Sequence, residues 1–151
     1  MVKFGLVLTI YFCLSAVLFL IASNTIIGAI IYFFLLLPFY VIALAWLWAI
    51  ALQNRTQPPR IKYWIWGIVL ALQVATILVS PGNCFRAKEG APCYSNLQIL
   101  LGNAPRSGPS DLPHWTLIEH AFPGLVVAYG VAILVGLWSV TKNRKQTPNQ
   151  D

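Results

Sequence analysis

The chain has 151 residues, of which 58% are hydrophobic and 9% charged, with a formal net charge of +6 and a mean hydropathy of +0.72. So little polar surface excludes an ordinary water-soluble globule and points to hydrocarbon as the main solvent. The ten basic residues are scattered between apolar runs and form no aromatic-interleaved basic face, which excludes nucleic acid as a partner.

A helix needs roughly 20 apolar residues to cross about 30 Å of hydrocarbon. Four segments, about 4–22, 26–52, 63–80 and 122–140, meet that need, and none contains Lys, Arg, Asp or Glu. The expected fold class is therefore all-α: a polytopic integral membrane protein, with 1–151 as a single four-helix transmembrane domain. Lys3 ahead of an apolar run also fits a cleavable signal peptide, but the run is long and only Ser23, Asn24 and Thr25 separate it from the next. It reads as the first span. Pro38 falls inside the second span and strips the Phe34 carbonyl of its usual partner, which predicts a local bend.

Orientation follows from the basic residues, which short loops retain on the cytoplasmic side. Lys3, Arg55, Arg60, Lys62, Lys142, Arg144 and Lys145 fall on one side of the four spans, and only Arg86, Lys88 and Arg106 on the other. Both termini, including the tail 141–151, are thus expected in the cytoplasm, and the loop 81–121 outside it. Trp46, Trp48, Trp64, Trp66 and Trp138 would ring the cytoplasmic interface, leaving Trp115 at the outer one. Asn54-Arg55-Thr56 matches a glycosylation pattern but falls on the cytoplasmic side, where it would go unused. This pattern suits the plasma (inner) membrane or an internal energy-transducing membrane.

Spans in lipid associate by close approach, which small residues at four-residue spacing allow. Gly67, Ala71 and Ala75 in the third span, and Gly124, Ala128, Ala132 and Gly136 in the fourth, are expected to face each other in antiparallel register. Gln73 lies off that stripe. It is expected to hydrogen-bond another span, or else to contact a quinone, a pigment or a transported solute.

Cys84 and Cys93 fall in the outer loop and are expected to form a disulfide. The plan resembles that of quinone-coupled disulfide-forming membrane enzymes, which have four spans, both ends inside, and a cysteine pair between spans three and four. Those enzymes also carry a C-x-x-C pair in the first outer loop, where this chain has Ser23, Asn24 and Thr25. A redox role would lack an exchange partner. Cys13, in the first span, reads as a buried packing residue.

Asp111, His114, Glu119 and His120 form the densest group of titratable side chains, before the fourth span. They read chiefly as helix caps and interface anchors, with Thr116 and Glu119 at capping-box spacing and Asp111 capping a short turn through Pro113. The sharper alternative is a polar or ligand site for protons or zinc, although the spacing matches no metal pattern. Further along the loop, Ser95 is a suitable start for a short helix carrying Leu97, Ile99, Leu100 and Leu101.

No catalytic residue and no metal site is assigned. Lipid, pigment or quinone would leave no motif, so no cofactor is specified. The expected function is a non-enzymatic accessory, assembly or stabilising subunit of a larger membrane complex, with the lipid bilayer and other membrane-protein subunits as partners. The alternatives are a thiol-disulfide oxidoreductase acting through Cys84 and Cys93, or a small-solute carrier using Gln73, the Pro38 bend, Glu119 and His120.

Overall fold

The computed structural model describes residues 2–23, 25–53, 61–85 and 92–142. The expectations placed on Asn24, Asn54, Arg55, Thr56, Arg60, Arg86, Lys88, Arg144 and Lys145 lie outside the described residues.

The first helix, α1, runs Val2–Ala22. After a short break, α2 (Ile26–Ile31) passes into a π-helical turn, Tyr32–Leu36, and then into α3, Leu37–Gln53. The wide turn is the local solution to Pro38. One extra residue per turn lets Leu37 N–H donate to the Tyr32 carbonyl, so the ladder shifts register just before the residue that has no donor. Next come α4 (Tyr63–Val79), β1 (Pro81–Asn83), β2 (Tyr94–Ser95), α5 (Asn96–Leu100) and α6 (Thr116–Lys142). The two strands pair antiparallel.

Three helical segments, Val2–Ala22, Gly28–Gln53 and Thr116–Val140, are long and apolar enough to cross a membrane, while α4 is a shorter apolar helix. Their inward faces follow one spacing. Leu8, Phe12, Ser15 and Phe19 are buried on α1, Tyr40, Ala43 and Leu47 on α3, Ile65, Val69, Gln73 and Thr76 on α4, and Phe122, Val126, Tyr129, Ile133 and Leu137 on α6. Steps of three and four keep each set on a single stripe of a helix. The outward faces are equally apolar, with Leu14, Ile21, Phe34, Ile42 and Val127 among the exposed side chains. Hydrophobicity alone therefore does not tell inside from outside here, and the inward stripes are distinguished by rings and hydroxyls. Phe12 stacks on Tyr40 with centroids 4.8 Å apart, and Phe19 packs against both Tyr32 and Tyr129.

The helices alternate in direction. Gly5 near the start of α1 approaches Trp48 and Ala51 near the end of α3. Phe4 packs edge-on to Trp66 at the start of α4, and Gly136 late in α6 meets Ile65 and Trp66. Trp46, Trp48, Trp64, Trp66 and Trp138 thus gather at one end of the bundle. Trp48 Nε1 donates to Thr9 Oγ1 at 3.0 Å there.

The most extensive interhelical contact is between α4 and α6. It is built from the larger side chains rather than from the small-residue stripes. Gly67, Ala71, Gly124 and Ala128 are exposed, Ala75 and Ala132 are half-buried, and of the seven only Gly136 is buried. A Cβ added to Gly67 or Gly124 would meet nothing within 4 Å. The register is antiparallel, but both helices are rotated so that most of the stripe turns outward. Cys13 corrects an expectation: it is an exposed free thiol, because the inward face of α1 is taken by Phe12, Ser15 and Phe19.

Candidate functional site

Two polar constellations stand out against this apolar frame. The first lies inside the bundle. Gln73 Nε2 donates to Ser15 Oγ at 2.9 Å, and its Oε1 accepts from the Tyr11 hydroxyl at 2.7 Å. The Tyr129 hydroxyl is the hub, 2.7 Å from that of Tyr40, 3.0 Å from that of Tyr11 and 3.1 Å from Ser15 Oγ. Ser15 Oγ also lies 2.7 Å from the Tyr40 hydroxyl. One group from each of α3, α4 and α6 and two from α1 therefore satisfy one another. Each helix supplies a polar atom where the alternative is an unsatisfied group in an apolar surround, so the cluster fixes helix register as well as adding stability. Both polar side-chain atoms of Gln73 are engaged within it.

The second constellation lies at the opposite end from the tryptophan cluster, where the segment between α4 and α6 folds back over the helix ends. Cys84 and Cys93 form a disulfide across nine residues of sequence. Ser95 caps α5 with a full capping box: its hydroxyl accepts from Gln98 N–H, and Gln98 Oε1 accepts from Ser95 N–H. Asn96 Nδ2 donates to the Ala22 carbonyl at 2.9 Å and to Ser80 Oγ at 2.7 Å, so this segment is tied to α1 and to the end of α4. Thr25 Oγ1 accepts from Gly28 N–H and donates to the Pro81 carbonyl. At Gly82, where the strand passes α5, a Cβ would stand 2.5 Å from both Asn96 Oδ1 and Ile99 Cδ1, so a larger residue would make those side chains shift. Asn83 Nδ2 donates to the carbonyls of Pro105 and Gly108, and the Tyr94 hydroxyl donates to that of Leu112.

Ahead of α6, residues 109–115 carry no helical turn. The residue at the cap is Trp115, whose carbonyl accepts from Ile118 and Glu119, while Thr116 is the first helical residue. Glu119 supplies the carboxylate half of the expected box one position out of register: its Oε1 accepts from Trp115 N–H at 3.2 Å. The same oxygen accepts from His114 Nδ1 at 3.0 Å. The His114 ring stacks on Tyr94, with centroids 4.0 Å apart. His120 turns away, and its Nδ1 donates to the Thr116 carbonyl. Among the described residues no group of three His, Cys, Asp or Glu side chains converges as a metal would require.

Glu119 is the unusual member. Its side chain is only 2% exposed, and Oε2 is buried with no hydrogen-bond partner. Leaving a buried acceptor of this kind unmet costs about 1–3 kcal/mol, and more when it is charged. Glu119 and His120 also line an open cleft of about 280 Å³, whose other walls include Ile31, Val79, Cys93, Phe122 and Pro123.

The sequence reading singled out Gln73, Glu119, His114 and His120 but missed Tyr11, Ser15, Tyr40 and Tyr129. The available signal was a set of hydroxyls in the middle of otherwise apolar spans. No family model matches the chain, and neither a curated protein nor a solved structure matches it.

Proposed function

We propose that this chain is a small multi-pass membrane protein acting as a non-enzymatic accessory, assembly or stabilising subunit of a larger membrane complex. In this reading α4 is a fourth, short span, both termini are cytoplasmic, and the segment 81–121 lies on the far side of the plasma (inner) membrane or of an internal energy-transducing membrane. The tryptophan-rich end of the bundle, beside Lys3 and Lys62, supports that orientation.

The observation that carries the reading is an inside-out division of chemistry. The groups of the mid-helix cluster bond one another, Gln73 with Tyr11 and Ser15 and Tyr129 with Tyr40, while the outward faces stay apolar and, at Gly67 and Gly124, free of steric cover. A bundle closed within and smooth without suits contact with other spanning helices, because close backbone approach is what drives association in lipid. It suits a carrier less well, since Gln73, the residue on which a solute path would depend, is buried with both its amide nitrogen and its oxygen already bonded to neighbouring side chains.

The test is gentle detergent extraction of a tagged copy, followed by native-size analysis and identification of what accompanies it. Stoichiometric recovery with a larger complex is expected. Recovery of a lone bundle that catalyses or transports something would end this reading.

One observation favours a second reading. Cys93 lines the cleft at the far end of the bundle, so the disulfide borders a sizeable concavity among the described residues. A thiol-disulfide oxidoreductase using Cys84 and Cys93 would show a detectable reduced fraction of the pair in cells. A pair that stays fully oxidised would be structural only.

A further inference from the structure

We propose that the segment between α4 and α6 is a lipid-binding surface as well as a connection: its α5 end, at Leu100 and Leu101, is immersed in the acyl region of the leaflet opposite the tryptophan cluster. With α4 and α6 taken as antiparallel spans, the reading proposed above on which this one rests, their unequal lengths set the depth of that segment. The two helices are level at the tryptophan end, where Gly136 of α6 meets Ile65 and Trp66 of α4. They are level again at Val79 and Phe122, which line one cleft. There α4 ends, whereas α6 continues outward for six residues to Thr116, and so overtops α4 by about 9 Å. From Trp138 to Thr116, α6 covers about 33 Å, enough for roughly 30 Å of hydrocarbon, but from Trp64 to Val79, α4 covers only about 22 Å.

The missing length is made up by β1, β2 and α5. Asn96, the first residue of α5, donates to the carbonyls of Ala22 and Ile77, at the ends of α1 and α4. A five-residue helix is only about 7.5 Å long, so Leu100 and Leu101 lie about level with the first turns of α6. Side-chain placement agrees with that depth. Ser80, Asn83, Ser95 and Gln98 are buried, while Leu100 is 73% and Leu101 57% exposed. Buried polar groups beneath an exposed apolar patch are the reverse of a loop built to face water. Ile21 and Ile26, at the neighbouring helix ends, are also exposed and extend the patch.

Backbone outside a long helix is tolerated at membrane depth only where its polar groups are met within the protein. Here Asn96 N–H donates to the Ser80 carbonyl, Ser95 and Gln98 close their capping box, and the N–H groups of Leu101 and Gly102 donate back to Leu97 and Ile99. Beyond Gly102 the character changes, with Asn103, Arg106 and Ser107 exposed. That stretch is the water side of the segment.

The test measures depth by nitroxide labelling of the full chain in phosphatidylcholine vesicles, comparing collisions with oxygen, which concentrates among acyl chains, and with a water-soluble nickel chelate. Cys84 and Cys93 are joined, so the exposed Cys13 thiol of α1 takes the label in the wild-type chain and reports whether the helices span. In a Cys13→Ser background, Leu101→Cys and Ser107→Cys place the label on the two sides of the segment. The Leu101 position should favour oxygen over nickel several-fold more than the Ser107 position. A second measurement needs no substitution. The wild-type chain is irradiated in vesicles of a lipid carrying a diazirine high on its acyl chain, and after reduction the tryptic peptide 89–106 should carry lipid at Leu100 or Leu101. The proposal is overturned if the Leu101 label is as open to nickel as the Ser107 label, if protein hides it from both reagents, or if those leucines carry no lipid adduct. Any of these results with Cys13 reached by oxygen and not by nickel leaves the spanning reading intact, whereas a Cys13 label open to nickel ends both.

Discussion

Gln73 on α4 and Ser15 on α1 meet through a 2.9 Å hydrogen bond in the interior of the bundle, joining residues 58 positions apart in sequence. The amide is held at both ends, since its oxygen also accepts from Tyr11. Gln73→Leu removes a donor and an acceptor together and leaves the Tyr11 hydroxyl with Tyr129 as its remaining partner in the cluster. An interhelical bond of this kind contributes about 0.6–2 kcal/mol, so the variant should lose about 1–2 kcal/mol of stability to unfolding in detergent. Unchanged stability would mean that the amide is merely accommodated by the core.

Tyr129 should be more sensitive than Tyr11, because its hydroxyl approaches Tyr40, Tyr11 and Ser15 at once. Tyr129→Phe keeps the ring against Phe19 and deletes only the hub. The expected loss is about 1–2 kcal/mol. Combined with Tyr40→Phe, the cost should fall short of the sum of the single changes by about 0.5 kcal/mol or more, since the two hydroxyls share one bond. Strict additivity in that cycle would show that the hydroxyls act independently.

These two residues also show where sequence reading reached its limit. The long apolar helices were legible because membrane-length hydropathy is a property of a segment taken alone, and so was the irregularity before Pro38, which follows from a missing N–H. Which face of each helix turns inward was not legible. In a chain with Leu14, Ile42 and Val127 exposed, apolar character marks both faces, and the small residues at Gly67, Ala71, Gly124 and Ala128 indicate that a neighbour can come close without saying which one. Tyr11, Ser15, Tyr40 and Tyr129 come from three helices, and their convergence depends on rotations that no local pattern encodes. At the other end, Glu119 was recognised as a cap-type residue. Its unmet oxygen arises from tertiary burial of the side chain.

The Cys84–Cys93 disulfide closes a loop of nine residues' separation. By loop entropy it should contribute about 2–3 kcal/mol to the ordering of the segment it crosslinks. Arg86 and Lys88 fall between the two cysteines, which gives a direct check. Digestion of the denatured, unreduced chain with trypsin should leave the pieces on either side joined through sulfur, to separate on a gel only after reduction. In the folded chain, Cys84→Ser with Cys93→Ser should loosen β1, β2 and α5, read as faster amide exchange at Tyr94 and Ser95 with little change at Tyr129. Equal acceleration at both places would mean that the crosslink holds the whole bundle and not its end.

Gly67 and Gly136 offer a test of which helix faces await a partner. Both glycines belong to small-residue stripes, but they sit in opposite surroundings. A Cβ at Gly136 would stand 3.3 Å from Trp66 Cζ2 and 3.6 Å from Ile65 Cγ2, whereas one at Gly67 would meet nothing within 4 Å. Gly136→Leu should therefore force α4 and α6 apart and destabilise the isolated bundle by about 1–3 kcal/mol, the usual cost of overpacking. Gly67→Leu should leave the isolated bundle within about 0.5 kcal/mol of wild type. If α4 presents this face to a neighbouring spanning helix, the same substitution should sharply reduce recovery of the larger assembly from gently extracted membranes. Full recovery with Gly67→Leu would assign that face to lipid and would move any subunit contact to the outward sides of α1 and α3.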